Sequence, residues 1–244
     1  MGYKGRDVEV VWLGDRCIVA ACDSCGAVGS KELDAVNVPS HIVGRFTARV
    51  ALLEVLSTGA KPIMITVTSC NEPQPTSKHM LEGIKDELDS LHLNSLPLVV
   101  STEKNMPTRQ TSLGISVVGV CERSQLRIAA TAPGDEVYCL GIPKVGPEVY
   151  SPVDPEIIQG KHIRELLAAP QIHDIVTVGS QGIYGEAQLL AENTGGRFEP
   201  ETGVEVDLYK SAGPATCLIF TIPPQIRLSG FHSTPFCKVG SIAK

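Results

Sequence analysis

Between Asp23 and Asp34 the chain carries a combination suited to phosphate: Gly26-Ala27-Val28-Gly29-Ser30-Lys31, with Asp34 one helical turn beyond the lysine. Closely spaced glycines let backbone N–H groups approach phosphate oxygens, and a lysine adds a positive charge on a movable stem. Lys31 is therefore the favoured contact for a terminal phosphate, with Gly26, Gly29 and Ser30 as its cradle. The spacing is not that of a Walker loop, and a glycine-rich turn with a lysine also serves as a plain surface turn. Two roles suit Asp34 equally: sharing a metal ion, or pairing with Lys31. A second concentration of polar groups is the insert from Ser101 to Thr111, directly after an apolar run. Loops at strand ends carry function disproportionately, although an ordinary solvated loop has the same composition.

Other chemistries find less material. Cys22-Asp23-Ser24-Cys25 has redox or half-zinc-site spacing, but no second Cys-x-x-Cys or nearby Cys-His pair completes it. The histidines, at 41, 79, 92, 162, 173 and 232, never fall at metal spacing. His173 precedes an apolar strand and reads as structural before it reads as a substrate contact. There is no Gly-x-Ser-x-Gly elbow, so no serine or cysteine nucleophile is assigned.

These residues must be positioned by folded elements, and the composition supplies them. Of 244 residues, 43% are hydrophobic and only 5% aromatic, so the core is built from Val, Ile, Leu and Ala, which suits sheets covered by helices. A net charge of −6 argues against a nucleic-acid groove, which needs clustered Lys and Arg. Met1 to Asp7 has no apolar stretch and no run reaches membrane-span length, so a cytoplasmic protein without signal peptide or membrane segment is expected. The eight cysteines are then expected to be reduced and mostly buried.

Along the chain, Val8 to Trp12 and Cys17 to Cys22 read as a hairpin through Gly14-Asp15. Helical periodicity runs from His41 to Thr58 and stops at Gly59, where a C-cap glycine belongs. Strands are expected over Ile63 to Thr68, Leu96 to Val100 and Gly114 to Val120, with a helix from Thr76, as N-cap, to Leu91. The character changes near Ala132-Pro133-Gly134-Asp135. Beyond it come strands at Glu136 to Leu140, Ile175 to Val178 and Cys217 to Ile222, and helices at Ile157 to Ala168 and Tyr184 to Glu192. The order predicts two α+β units, residues 1–133 and 134–244.

Several segments, in order, resemble the aminoimidazole ribonucleotide (AIR) synthetase-like superfamily. Leu53-Glu54-Val55-Leu56-Ser57-Thr58-Gly59-Ala60-Lys61-Pro62 is similar to its acidic helix end followed by Gly-Ala-x-Pro. Thr131 to Gly141 resembles the Pro-Gly-Asp-x-(apolar)-Tyr-x-x-Gly segment that joins the two domains of AIR synthetase, selenophosphate synthetase, thiamine-monophosphate kinase and hydrogenase-maturation relatives. Ser211 to Thr221 is similar to the Ser-Gly-Gly-Asp stretch of the thiamine-monophosphate kinases, with Pro214 at the acidic position. Gly179-Ser180-Gln181-Gly182-Ile183 resembles a Ser-Asp-Gly-Leu turn, with Gln181 replacing the aspartate, and Cys237 to Ile242 resembles the closing strand.

The resemblance implies a two-domain α+β fold: an N-terminal, barrel-forming ATP and dimerisation domain, then an α/β C-terminal domain. It implies ATP and Mg²⁺, the latter held by Asp23, Glu54 and Glu103. It implies Lys31, Asp34 and Glu103 as catalytic groups, and Asn105 and Thr108 as polar supports in the insert. Gly26 to Asp34 together with Ser101 to Thr108 looks most like the α-ribazole kinases, which phosphorylate the nucleoside of the cobalamin lower ligand in salvage. A homodimer acting as an ATP-dependent small-molecule kinase is the expectation. Synthetase chemistry, or a nucleotide-binding regulatory protein that has lost catalytic acids, are the alternatives, the latter favoured by Gln181 and Pro214.

Overall fold

A computed structural model of the chain describes residues 2–226 and 234–244; His232 lies outside them. The chain divides into two compact units. One comprises Asp7–Leu56 and Ala60–Arg123; the other comprises Ser124–Lys244 with Ser57–Gly59 and the segment through Arg6.

The first unit is built on a five-stranded sheet. Strands β1 (Val8–Leu13) and β2 (Arg16–Gly26) form the expected hairpin, from Val8↔Ala21 to Leu13↔Arg16, and Gly14 turns it at φ +63°. Two short bridges, β3 (Val28–Gly29) and β4 (Val36–Asn37), pair in parallel within the glycine-rich loop. Helix α1 (Ser40–Ser57) follows, then β5 (Lys61–Ser69), α2 (Lys78–Ser90), β6 (Leu98–Thr102) and β7 (Ser112–Glu122). The strand order is β1-β2-β7-β5-β6. Within this sheet β5 and β6 are the parallel pair, and α2 supplies the crossover that a parallel pair requires. The sheet stays open, with β1 and β6 as its edges.

Alternation decides which face is covered. Cys17, Val19 and Ala21 of β2 and Leu113, Ile115, Val117 and Cys121 of β7 are buried at every second position. Helix α1 is buried almost all round, as a helix lying between a sheet and another helix must be. It rests on the sheet at Gly119, where an added Cβ would stand 2.5 Å from Val55 Cγ1. It crosses α2 at Gly44 and Gly83, where a Cβ would stand 2.0 Å from the Met80 carbonyl and 1.9 Å from the His41 carbonyl. Beside that crossing the buried Arg49 forks onto the buried Glu87, Nε to Oε1 at 2.7 Å and Nη2 to Oε2 at 3.0 Å, so neither charge is left uncompensated. One expectation needs correcting. The second helix starts at Lys78 after a wide turn over Pro73–Ser77, and Thr76 is not its cap, because its hydroxyl donates to the Glu72 carboxylate instead.

The second unit holds β8 (Glu136–Leu140), α3 (Gly160–Ala168), β9 (Ile175–Thr177), α4 (Gly182–Glu192), β10 (Arg197–Pro200), β11 (Leu218–Ile222) and β12 (Phe236–Ala243). They form an antiparallel sheet in the order β10-β12-β8-β11-β9. Val137, Cys139, Ile219, Val239 and Ile242 form its core with Ile183, Ala187 and Leu190 of α4. Helix α3 begins at Gly160 rather than Ile157, since Ile157 and Ile158 enter the core before the helix starts. Arg6 is buried here: Nη2 donates to Ser57 Oγ at 2.9 Å and to the Ile175 carbonyl at 2.8 Å. Asp174, fully buried, accepts the Thr131 N–H at 2.7 Å and the Thr131 hydroxyl at 2.6 Å. His173 Nδ1 sits 2.6 Å from Asp135 Oδ2, the structural role expected of it.

Among the described residues, no helix is long and apolar enough to cross a membrane. All eight cysteines are free; four are buried, two exposed and two half-buried, so burial is less general than composition suggested. Cys22 and Cys25 are three apart on β2 and point to opposite faces of the sheet, a placement that prevents them from closing a disulfide.

Candidate functional site

The polar groups singled out in the sequence meet at one end of the first unit's sheet, where β2 and β5 end and β7 begins. There the glycine-rich loop folds back on itself. Ala35 and Val36 donate N–H groups to the Ala27 carbonyl at 2.8 and 3.3 Å, and Val38 donates to the Gly29 carbonyl at 2.9 Å. The residue that adopts the left-handed conformation is Ala27, φ +57°, rather than Gly26, a conformation that is uncommon away from glycine. Gly29 is required by close approach: a Cβ there would stand 2.1 Å from Thr111 Oγ1 and 2.8 Å from Asp34 Oδ2. Ser30 Oγ lies 3.2 Å from the hydroxyl of Ser40, at the start of α1.

Asp34 fixes this loop to β7. Its Oδ1 accepts the Thr111 N–H at 2.7 Å, and its Oδ2 accepts the Thr111 hydroxyl at 2.7 Å and the Lys31 N–H at 2.8 Å. Burial works to raise its carboxyl, but the Thr111 and Lys31 donors outweigh it and hold the group below its ordinary value. Asp34 thus meets Lys31 at its backbone N–H and not at its ammonium. That ammonium reaches Glu72, at the corner after β5.

The insert after β6 is equally organised. Glu103 Oε1 accepts the N–H groups of Asn105 at 2.7 Å and Met106 at 3.1 Å, and these hydrogen bonds lower its carboxyl. Arg109 forks onto Glu32 at 3.2 and 2.6 Å, and its carbonyl takes the Leu33 N–H. The hub is Asn71, which is fully buried. Its amide nitrogen donates to Thr108 Oγ1 at 2.8 Å and to the Gln110 carbonyl at 2.7 Å, and its amide oxygen accepts the Ser112 N–H at 2.9 Å. Its own carbonyl accepts the Glu103 N–H at 3.0 Å, so one residue holds both ends of the insert. Thr108 is therefore anchored. Asn105 is exposed, with only its N–H engaged by Glu103.

Asp23 lies on the covered face of β2, half-buried, two residues before Cys25. Desolvation raises its carboxyl to about 6, against a backbone hydrogen bond from Ser24 and with added repulsion from Asp7. Burial likewise raises the Cys25 thiol, with Asp23 and Asp34 adding to that against a hydrogen bond with Thr47. Glu54 is buried on α1, fourteen residues after Ser40, or about 20 Å along the helix axis. The structure thus brings together Gly26, Gly29, Ser30, Lys31, Asp34, Glu103 and Thr108, with Asp23 beside them, and leaves Glu54 apart.

Among the described residues no three His, Cys, Asp or Glu side chains converge as a metal cage. A half-buried carboxyl pushed upward by burial and a like charge is what a cation would relieve. Mg²⁺ is ordinarily held by one or two carboxylates, substrate phosphates and waters. Asp23 fits an ion that arrives with phosphate, and the set does not fit a resident ion in an all-protein cage.

No family model matches the chain, and no curated protein matches it in sequence. Solved structures do match it in shape. Thiamine monophosphate kinase from Aquifex aeolicus aligns with a TM-score of 0.67 at 13% identity, covering 98% of this chain and 89% of that one. AaThiL complexed with AMPPCP and TMP gives 0.65 at 14% identity, over 98% and 85% of the two chains. Thermotoga maritima PurL complexed with ATP gives 0.63 at 14% identity, over all of this chain but 38% of that one. The fold is AIR synthetase-like.

Within the AIR synthetase-like frame, Gln181 and Pro214 fall in the second unit, at the start of α4 and before β11. Gln181 packs along α4, where a Cβ added at Gly185 would stand 2.6 Å from its own. Sequence reading missed Asn71 and Glu72. Their local signal is their position, Asn-Glu-Pro just after a strand; the side-chain partners that tie them to the glycine-rich loop and the insert lie 37 to 41 residues away.

Proposed function

We propose that this chain is an ATP-dependent small-molecule kinase whose nucleotide phosphates lie against the loop from Gly26 to Asp34 and the insert from Glu103 to Thr111. One observation carries the reading: a lysine on a loop pinned by Asp34 to Thr111, and an insert fixed by Asn71, gather at one end of a sheet. Support comes from the fold, which is shared with AaThiL in complex with AMPPCP and TMP and with PurL in complex with ATP. In this reading residues 1–133 form the nucleotide and dimerisation half, and residues 134–244 the second.

Lys31, with Gly26, Gly29 and Ser30, contacts phosphate oxygens, and Asn105 and Thr108 present polar groups from the insert. Asp23 and Glu103 would hold the magnesium ion that accompanies the nucleotide; Glu54 serves the reading least, given its place on α1. Magnesium, when bound, offsets charge on the phosphates. The chain's own residues orient the nucleotide and hold the ammonium where charge develops. In the transfer the terminal P–O bond to the leaving diphosphate breaks and a new one forms to an acceptor hydroxyl, whose proton is released to solvent.

The acceptor assigned to this reading is the nucleoside α-ribazole, giving α-ribazole phosphate, on the resemblance of residues 26–34 and 101–108 to α-ribazole kinases. A cytoplasmic homodimer accompanies it. Val11 and Leu13 on one sheet edge, and Val99 and Val100 on the other, are exposed, and exposed apolar edges call for a covering partner. The deciding experiment measures ATP consumption with magnesium, with and without α-ribazole, and weighs the nucleoside product by mass spectrometry. ADP formed in step with a phosphorylated nucleoside is the expected result. ATP binding without turnover on any acceptor favours the second reading, a regulatory nucleotide-binding protein, which rests on Gln181 and Pro214 standing where acids are usual. Absence of ATP binding would sink both.

A further inference from the structure

Resting on that reading, Glu72 has a role of its own. Lys31 and Glu72 are 41 residues apart in sequence, yet the ammonium sits on Glu72 Oε2 with the two side chains only 18% and 32% exposed. The other oxygen, Oε1, takes the Thr76 hydroxyl, and the Ser77 N–H donates to the Glu72 carbonyl at 3.2 Å. The lysine's backbone is fixed independently, through its N–H to Asp34. The stem and ammonium of Lys31 can therefore swing while the loop stays in place.

We propose that Glu72 is a positioning residue that holds the Lys31 ammonium in reserve, and that an incoming nucleotide phosphate takes this ammonium from it by exchange of ion pairs. Three features make the exchange feasible. A partly exposed ion pair is weak, so its loss costs little. The carboxylate keeps the Thr76 hydroxyl after the lysine leaves, so it is not stranded without a partner. Finally, holding a flexible lysine near its target reduces the ordering cost of binding. Burial works to raise the Glu72 carboxyl, but the Lys31 and Thr76 hydrogen bonds overcome it and keep the group ionised. The exchange is thus between two anions for one cation.

The test is a double-mutant cycle read by calorimetric titration with magnesium and AMPPCP. Glu72→Gln keeps the shape and one acceptor, an amide oxygen for the Thr76 hydroxyl, and removes the charge that competes for the ammonium. Its affinity is expected to rise about two- to fivefold, the range for a partly exposed ion pair. Glu72→Asp, which keeps the charge, should not tighten binding. In a Lys31→Ala background the gain from Glu72→Gln should vanish. If Lys31→Ala weakens binding but Glu72→Gln changes nothing, or tightens equally without Lys31, the exchange is wrong and the Lys31 reading stands. If Lys31→Ala binds as the wild type does, both fall together. Thermal melts of all variants separate these outcomes from loss of fold.

Discussion

The two units invest their polar residues differently. Besides surface ion pairs such as Lys210–Glu148, the second unit uses a group of them as scaffolding: Arg6 spans Ser57 and Ile175, Asp174 takes two hydrogen bonds from Thr131, and His173 rests on Asp135. In the first unit, apart from the Arg49–Glu87 brace, they collect at strand ends in loops that remain partly exposed, around Lys31, Asp34, Glu72 and Asn71. A charge buried among its partners stiffens a fold, whereas a charge held at a loop by one exchangeable partner is available to a ligand. The half-buried Asp23, left with its carboxyl raised to about 6, belongs to the second kind. Buried or like-charged acids that lower stability are characteristic of working sites.

The largest effect expected on either side of this contrast is structural. Asp174→Ala removes one member of a fully buried polar cluster and should cost about 3–5 kcal/mol, the range for breaking a buried charged arrangement. Denaturant unfolding reads the loss. Nucleotide affinity at a temperature where the variant is folded should be unchanged, and a large affinity change would break the division of labour between the units.

Next in size is Lys31→Ala. Loss of a preorganised contact to developing charge costs about 2.7–4 kcal/mol, or roughly 10²–10³ in turnover. The effect should fall on kcat more than on KM for the acceptor, and arginine should rescue only in part. Lys78→Ala, at an exposed position at the start of α2, is the control and should turn over normally. Equal losses in the two would reduce the glycine-rich loop to a surface turn.

Asp23→Asn gives the smallest shift and the most informative sign. A carboxyl whose folded value is raised to about 6 from 3.8 opposes folding wherever it is ionised. The cost is complete above about pH 6 and fades as pH falls toward the unfolded value. Asparagine should therefore stabilise the protein by about 1–2 kcal/mol at neutral pH, after allowance for partial exposure, and by progressively less between pH 6 and 4. The same variant should bind magnesium-nucleotide more weakly. A destabilised variant would show that Asp23 is held by partners of its own and is not waiting for a cation.

Much of the frame was legible in local pattern. The Gly14-Asp15 turn, the helical period ended by Gly59 and the alternating strand of Ser112–Glu122 are signals carried by neighbours in sequence, and they appear where the spacing put them. Elements without such signals were missed. Strand β10 has four residues between Gly196 and the chain beyond Pro200, and Thr76 has the sequence signature of a cap although its competitor, Glu72, faces it once the turn forms. The same limit applies at the site. Lys31 and Asp34 stand out by type and spacing, but Asn71 and Glu72 join the site through partners tens of residues away.

The contrast between the units is tested most directly by titrating the protein with AMPPCP in the presence and absence of magnesium, while recording amide hydrogen exchange. The account expects magnesium-dependent binding, with slowed exchange concentrated in the loop from Gly26 to Asp34 and the insert from Glu103 to Thr111. Binding that protects only the second unit, or that is indifferent to magnesium, would contradict it.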